Sequence, residues 1–282
     1  MLNYNSAAAL RAFLDEEGLG MRKKYGQNFL INPQVRKALV DALGAERGDE
    51  VWEIGPGLGA MTAMLLEKGL TVRAFEIDPG FIRIIKRLFA DRNFTLVEGD
   101  VMKTWSGEKP APLFLGNLPY NVAAALLADL IEKGRLFSRM VVTVQKEVAL
   151  RMGASAGTPD YSSFSVLCAS AYKVTPLMVI RPSSFFPQPN VDSMGVLLEN
   201  RNVGAYPSVF YPLVRSLFAS RRKTIKNNLQ VFIASRFGKK TEELCAHILK
   251  ENALDGRERA EKLPIEVFLS LAKSIENMRT YK

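Results

Sequence analysis

Short apolar runs and stretches of helix-spaced apolar residues alternate through the first half of the chain. Val51 to Ile54, Thr71 to Glu76, Phe94 to Glu98, Leu113 to Leu115 and Arg139 to Gln145 read as strands. Between them, Gly59 to Lys68, Pro79 to Ala90 and Val122 to Glu132 show helical spacing. A further helix, Asn32 to Leu43, precedes the first of these strands: Asn32 is suited to the N-cap, Pro33 to the first helical position, and Val35, Leu39, Val40 and Leu43 share a face. Strand and helix in alternation predict a doubly wound, mostly parallel α/β sheet of the Rossmann-like kind.

After Gln145 the pattern changes. A helix from Lys146, a loop of small residues and proline from Gly153 to Pro159, and β-like runs at Lys173 to Ile180 and Ser193 to Leu198 follow, the last two suited to an antiparallel edge. From Pro207 onward the spacing is helical, with Ser208 to Ser220, Thr224 to Phe237, Thr241 to Lys250 and a last helix opened by Pro264. The expected organisation is a catalytic domain over 1–200, with residues 1–21 as an N-terminal extension holding a short helix from Ala7 to Glu17, and a small all-helical domain over 201–282. Neither an internal repeat nor an extended low-complexity segment interrupts it.

Charge alters this picture in one place. The formal net charge is +9 over 282 residues, and from Asn202 to Lys282 fifteen Lys and Arg stand against eight Asp and Glu, so most of the excess lies in the helical part. A polyanionic partner is one explanation and solubility the other. Cys168 and Cys245 are the only cysteines and His247 the only histidine, a supply too sparse for a disulfide framework or a metal centre. No apolar run approaches the length of a membrane span, and Asp15, Glu16 and Glu17 stand where a signal peptide needs apolar residues. A cytoplasmic, metal-free protein with no membrane partner is expected.

The chemistry begins at Glu53-Ile54-Gly55-Pro56-Gly57-Leu58-Gly59, which follows a strand and opens a helix, so that Gly55 and Gly57 can let a ligand approach the backbone closely. Such a loop suits NAD, FAD or S-adenosylmethionine alike. About twenty residues on, Glu76 ends the next strand, where a carboxylate can accept from ribose hydroxyls. One strand later Asp100 is placed to accept from an adenine amine, with Ile77 and Val101 offering apolar faces to the ring; as a turn-capping residue Asp100 would need no ligand. The fourth element is Asn117-Leu118-Pro119-Tyr120. Its side-chain and main-chain oxygens can hold an exocyclic amine while the Tyr120 ring stacks on the base. A dehydrogenase has no use for it, so the ordered set points to an S-adenosylmethionine-dependent amino-methyltransferase.

Further motifs carry a closer resemblance. Lys24-Tyr25-Gly26-Gln27-Asn28-Phe29-Leu30, Asn117-Leu118-Pro119-Tyr120-Asn121, Gln145-Lys146-Glu147-Val148, Ser184-Phe185-Phe186-Pro187-Gln188-Pro189-Asn190-Val191-Asp192-Ser193 and Arg221-Arg222-Lys223-Thr224-Ile225-Lys226-Asn227-Asn228-Leu229 occur in this order. Across residues 22 to 270 the chain resembles the ribosomal RNA adenine N6-dimethyltransferases. The resemblance implies transfer of two methyl groups to N6 of each of two adjacent adenosines in the 3′-terminal hairpin of small-subunit rRNA, late in subunit assembly, by a monomer. It implies that Asn28 and Leu30 contact S-adenosylmethionine, Gly55 its methionine portion, Glu76 the ribose and Asp100 the adenine amine. Asn117 would touch both cofactor and target, Leu118 would lend its carbonyl, and the base would lie between Tyr120 and Phe185. Lys23, Lys24, Arg221, Arg222, Lys223 and Lys226 would meet rRNA phosphates.

Two other functions compete. A DNA adenine-N6 methyltransferase usually carries Pro-Pro in the acceptor tetrapeptide, where this chain has Leu118-Pro119. A noncatalytic assembly or transcription factor on the same fold would have no need to fill every catalytic position. Ser162-Ser163-Phe164 departs from the Gly-Arg-Leu that many relatives carry, a departure that bears on local substrate contacts rather than on the reaction.

Overall fold

The computed structural model describes residues 2–20, 27–238 and 241–278. In chain order the elements are α1 (Ala7–Glu16), β1 (Phe29–Leu30), α2 (Pro33–Ala42), β2 (Glu50–Ile54), α3 (Ala60–Glu67), β3 (Thr71–Glu76), α4 (Pro79–Leu88), β4 (Phe94–Glu98), α5 (Val101–Thr104), β5 (Leu113–Asn117) and α6 (Ala123–Glu132). They continue with β6 (Arg139–Gln145), α7 (Lys146–Met152), α8 (Ser163–Ala171), β7 (Tyr172–Ile180), β8 (Phe185–Phe186) and β9 (Ser193–Asn200). The last four helices are α9 (Phe210–Phe218), α10 (Ile225–Phe237), α11 (Thr241–Glu251) and α12 (Ile265–Asn277).

Among the described residues, seven strands form one sheet in the order β4-β3-β2-β5-β6-β9-β7. The pairs from β4 to β6 are parallel and β6–β9 is antiparallel. Alternation within β2 explains how both faces are covered. Val51 packs with Leu39, Leu65 and Val141, whereas Trp52 points the other way, its ring 4.8 Å from that of Phe75 and 5.3 Å from that of Phe137. Asn32 caps α2 as its sequence suggests, its side chain accepting from the Gln34 and Val35 amides, with Pro33 following.

The chain divides into two compact units, residues 1–149 with 173–200, and residues 150–172 with 201–282. The sequence reading kept 150–172 with the catalytic part, but Tyr161 and Val166 belong to the apolar core made by Leu213, Leu217, Leu229, Ile248 and Phe268 of the helical unit. The Tyr161 hydroxyl also donates to the Leu263 carbonyl at 2.9 Å. Helix α8 itself escaped the periodicity test because nearly all of its side chains are buried, leaving no polar face to mark it. The Ser162-Ser163-Phe164 departure falls at the start of this helix, where the Ser162 amide donates to Ser165 Oγ at 3.0 Å.

Candidate active site

The direction of winding reverses between β2 and β5, and in an open α/β sheet the crevice beyond the carboxyl ends of such strands is where ligands bind. A cavity of about 280 Å³ opens there. Every residue that the sequence reading assigned to the cofactor lines it.

The glycine loop leaves β2 with Gly55 at φ +66° and Gly57 at φ +61°, backbone that side chains with a Cβ rarely adopt. A Cβ on Gly55 would meet no atom within 4 Å, so its open side is free for a ligand; on Gly57 it would run into the Phe29 ring at 2.9 Å. Glu76 reaches back under this loop. Its Oε1 accepts from the Ile77 and Asp78 amides, both at 2.8 Å, and its Oε2 from the Gly57 amide at 3.2 Å. Three amides therefore occupy three of about four acceptor directions of the carboxylate, leaving one on Oε2. Burial nevertheless pushes the Glu76 carboxyl up to about 7, with the amides pulling the other way.

Beneath the loop the sequence reading missed a second carboxyl. Glu53 is fully buried, accepts from Thr62 Oγ1 at 2.7 Å through Oε2, and leaves Oε1 without a partner. Burial raises it to about 7, helped by the charge of Glu76. A Glu set among the buried Val51, Trp52 and Ile54 of one strand was the sequence signal for it.

Asp100 serves a local purpose and still faces the cavity: one oxygen accepts from the Met102 amide at 3.0 Å, capping α5. Val101 lies beside it, and Ile77 is exposed over 41% of its surface, an apolar face open to a flat ring. Asn117 ends β5 at the switch point. Its Nδ2 donates to the Asn28 carbonyl at 2.7 Å, which turns Oδ1 away as the free acceptor. The next residue is fixed by its main chain, the Leu118 amide donating to the Thr143 carbonyl at 3.1 Å while its side chain is buried. The Tyr120 hydroxyl meets Ser193 Oγ at 2.6 Å, which holds the half-buried ring from the start of β9.

Phe185 is a correction. It pairs with Leu30 across the short β1–β8 ribbon and is 1% exposed, inside the core with Leu39, Leu43 and Ile180. A ring so buried cannot lie against a flipped base in this arrangement. Strand alternation turns the neighbouring Phe186 to the opposite face, where it is half-buried against the cluster of Leu10, Leu58 and Phe81, with the Arg11 guanidinium 5.5 Å from its ring.

The N-terminal segment, whose residues carry no interpretable motif, supplies part of the wall. Leu10 and Leu14 of α1 pack with Leu58, Phe81 and Ile84, and the Tyr4 hydroxyl donates to the Leu58 carbonyl at 3.1 Å. Tyr4, Leu10 and the buried Arg36 all line the cavity.

Of the residues read as contacting RNA, Lys23 and Lys24 lie outside the described residues. In the helical unit, Arg222, Lys223 and Lys226 are exposed, around the turn that leads into α10. Arg221 is engaged locally: it pairs with Glu261 at 3.2 Å and donates to the Pro159 and Tyr161 carbonyls, both at 3.3 Å. Among the described residues no three His, Cys, Asp or Glu gather as a metal site, and no helix is long and apolar enough to cross a membrane.

A doubly wound sheet with an antiparallel edge, a glycine loop after β2 and carboxylates at the ends of β3 and β4 defines a class I methyltransferase. The cleft suits S-adenosylmethionine, given the open face of Gly55, the remaining acceptor direction of Glu76 and the apolar surface of Ile77. Comparison with known proteins narrows this. The family model described as ribosomal RNA adenine dimethylase matches residues 18–277. The chain is 44% identical over 288 residues to the ribosomal RNA small subunit methyltransferase A of Treponema denticola, covering 98% of this chain and 97% of that protein. Identity to the protein of the same name from Treponema pallidum is 45% over 283 residues, 97% of each. The crystal structure of a dimethyladenosine transferase from Plasmodium falciparum is similar with a TM-score of 0.72 and 28% identity, over 85% of this chain and 94% of that one. The chain belongs to the ribosomal RNA adenine dimethylase family; it is a methyltransferase, with S-adenosylmethionine as its methyl donor.

Proposed function

We propose that this chain dimethylates N6 of two adjacent adenosines in the 3′-terminal hairpin of small-subunit (16S) rRNA during ribosome biogenesis. The observation that carries this reading is the Asn117 amide, tied at its nitrogen to the Asn28 carbonyl so that its oxygen serves as an acceptor at the switch point.

An amine conjugated to a purine is a weak nucleophile, because its lone pair is delocalised into the ring. Asn117 Oδ1 and the Leu118 carbonyl accept its two hydrogens, draw the nitrogen towards tetrahedral geometry and stabilise the positive charge that develops on it. Tyr120, held by Ser193, stacks on one face of the extruded adenine and offsets part of the unstacking cost. When bound, S-adenosylmethionine supplies an electrophilic methyl group on its sulfonium. Asn28, Leu30, Gly55 and Gly57 would hold the cofactor, Gly55 at its methionine portion, with Glu76 at the ribose and Asp100, Ile77 and Val101 at the adenine. No general base is required, because the alkylated ammonium is acidic enough to lose its proton to a carbonyl or to water.

Arg222, Lys223 and Lys226, with Lys23 and Lys24, supply phosphate contacts, in keeping with the basic balance of the C-terminal part. The protein acts as a cytoplasmic monomer on an assembling subunit. The test is to offer labelled S-adenosylmethionine with unmethylated small subunits, naked rRNA or DNA, then digest and identify the nucleosides. Dimethyladenosine from RNA-containing substrate alone is expected; methyladenine from DNA, or no labelled adenosine at all, would overturn the proposal.

A further inference from the structure

Arg36 is a buried cation without an anion. It lies on α2, is 5% exposed and lines the cofactor cavity. Its Nη1 donates to the Leu30 carbonyl at 2.5 Å and to the Tyr4 carbonyl at 3.3 Å, and its Nη2 to the Asn5 side-chain oxygen. All three acceptors are neutral. The Nε has no partner, and among the described residues no carboxylate lies within ion-pair distance of the guanidinium. Removing such a charge from water is costly unless an opposite charge meets it inside. The hydroxyl of Tyr4 meanwhile reaches Leu58 on the glycine loop, and beside that loop the first turn of α3, Ala60 and Met61, also lines the cavity, at a helix start with no side-chain cap. Free amides at a helix start add partial positive charge. The buried guanidinium and the Ala60–Met61 turn thus both border the cavity and are joined through Tyr4, whose carbonyl accepts from Arg36 and whose hydroxyl donates to Leu58.

We propose that Arg36, fastened by the N-terminal segment around Tyr4 and Asn5, binds the α-carboxylate of S-adenosylmethionine. This rests on the assignment of the cavity to that cofactor and adds which side chain neutralises its anionic end. An RNA phosphate is a poorer fit for the same charge, because Arg36 is buried within the cavity wall rather than on an exposed face. The N-terminal segment, α1 included, thereby becomes part of the cofactor site, since it supplies two of the three acceptors that aim the guanidinium.

The experiment compares two ligands by calorimetry: S-adenosylhomocysteine, which carries the carboxylate, and 5′-methylthioadenosine, which lacks the whole amino-acid portion. Arg36→Gln should weaken S-adenosylhomocysteine by about 10- to 100-fold, the range for a charge-assisted hydrogen bond, and leave 5′-methylthioadenosine within about twofold. Arg36→Lys should recover part of the loss. Equal losses for both ligands would mark Arg36 as a structural staple only and overturn the proposal, as would no loss for either. If Arg36→Gln shows no folding transition, a structure of the wild-type protein with S-adenosylhomocysteine decides. A carboxylate within hydrogen-bond distance of the guanidinium supports the assignment, and one held elsewhere overturns it. Failure of the wild-type protein to bind S-adenosylhomocysteine at all would strike the cofactor assignment itself, a result distinct from any behaviour of the variants.

Discussion

The side-chain amide of Asn117 donates a 2.7 Å hydrogen bond to the main-chain carbonyl of Asn28, 89 residues earlier, and that bond decides which end of the amide is free. Asn117→Asp puts a second acceptor against the Asn28 carbonyl, so the tie is lost although an oxygen remains available. The methyl-transfer rate should fall by at least ~10-fold, the scale of one mispositioned polar group, while the fold is kept. Single-turnover rates together with a thermal melt check this.

Glu76 makes the site sensitive to pH. Its folded-state value of about 7 lies above the ordinary 4.5, so the folded protein favours the neutral form. The sign for stability follows: below 4.5 the group is neutral whether folded or not, and between 4.5 and about 7 the unfolded chain ionises first, so stability falls as pH rises through that window. In the proposed site, ribose hydroxyls would donate to Oε2 and favour the ionised form, which would give cofactor binding the opposite slope. Affinity for S-adenosylhomocysteine should be about tenfold weaker at pH 6 than at pH 8, with proton release on binding near pH 7. Calorimetry in buffers of different ionisation enthalpy measures both, and Glu76→Gln should flatten the profile.

Gly55→Ala tests the open face of the loop. The new methyl meets no protein atom, so the variant should fold, at a cost of about 1–2 kcal/mol for a Cβ at positive φ. It stands where the methionine portion is expected, and affinity for S-adenosylhomocysteine should drop by at least ~10-fold, a loss of about 1.4 kcal/mol. Unchanged affinity in a folded variant would place the ligand elsewhere.

The basic residues of the helical unit should separate into two kinds. Replacing Arg222, Lys223 and Lys226 together by Ala should weaken rRNA binding and reduce the slope of log affinity against log salt by about 2 to 3, leaving cofactor affinity unchanged. Arg221→Ala should instead lower the melting temperature, because it removes the ties to Glu261, Pro159 and Tyr161. Filter binding across a salt series tests the first, and a thermal melt the second.

The contrast between Phe185 and Glu76 shows what was legible in the sequence. Strand ends in a doubly wound sheet all point to one edge, so order alone placed Gly55, Glu76, Asp100 and Asn117 around a single cavity. Phe185 and Phe186 are adjacent aromatics on a two-residue strand, and nothing local says which of them turns inward; the register with Leu30 and Phe29 settles it. Arg36 was hidden for a similar reason. On an amphipathic helix a basic residue reads as solvent-facing, and its burial depends on Tyr4 and Asn5 folding back from a segment without an interpretable motif. The helix at 163–171 was missed because a helix buried all round loses its periodic signal.

In the proposed mechanism, acceptors on Asn117 and Leu118, rather than a base, drive methyl transfer to the adenine amine. Its most direct test is the single-turnover rate of Asn117→Ala on unmethylated small subunits at saturating S-adenosylmethionine. That rate should fall by at least ~10². A variant that binds cofactor normally and methylates at the wild-type rate would contradict it.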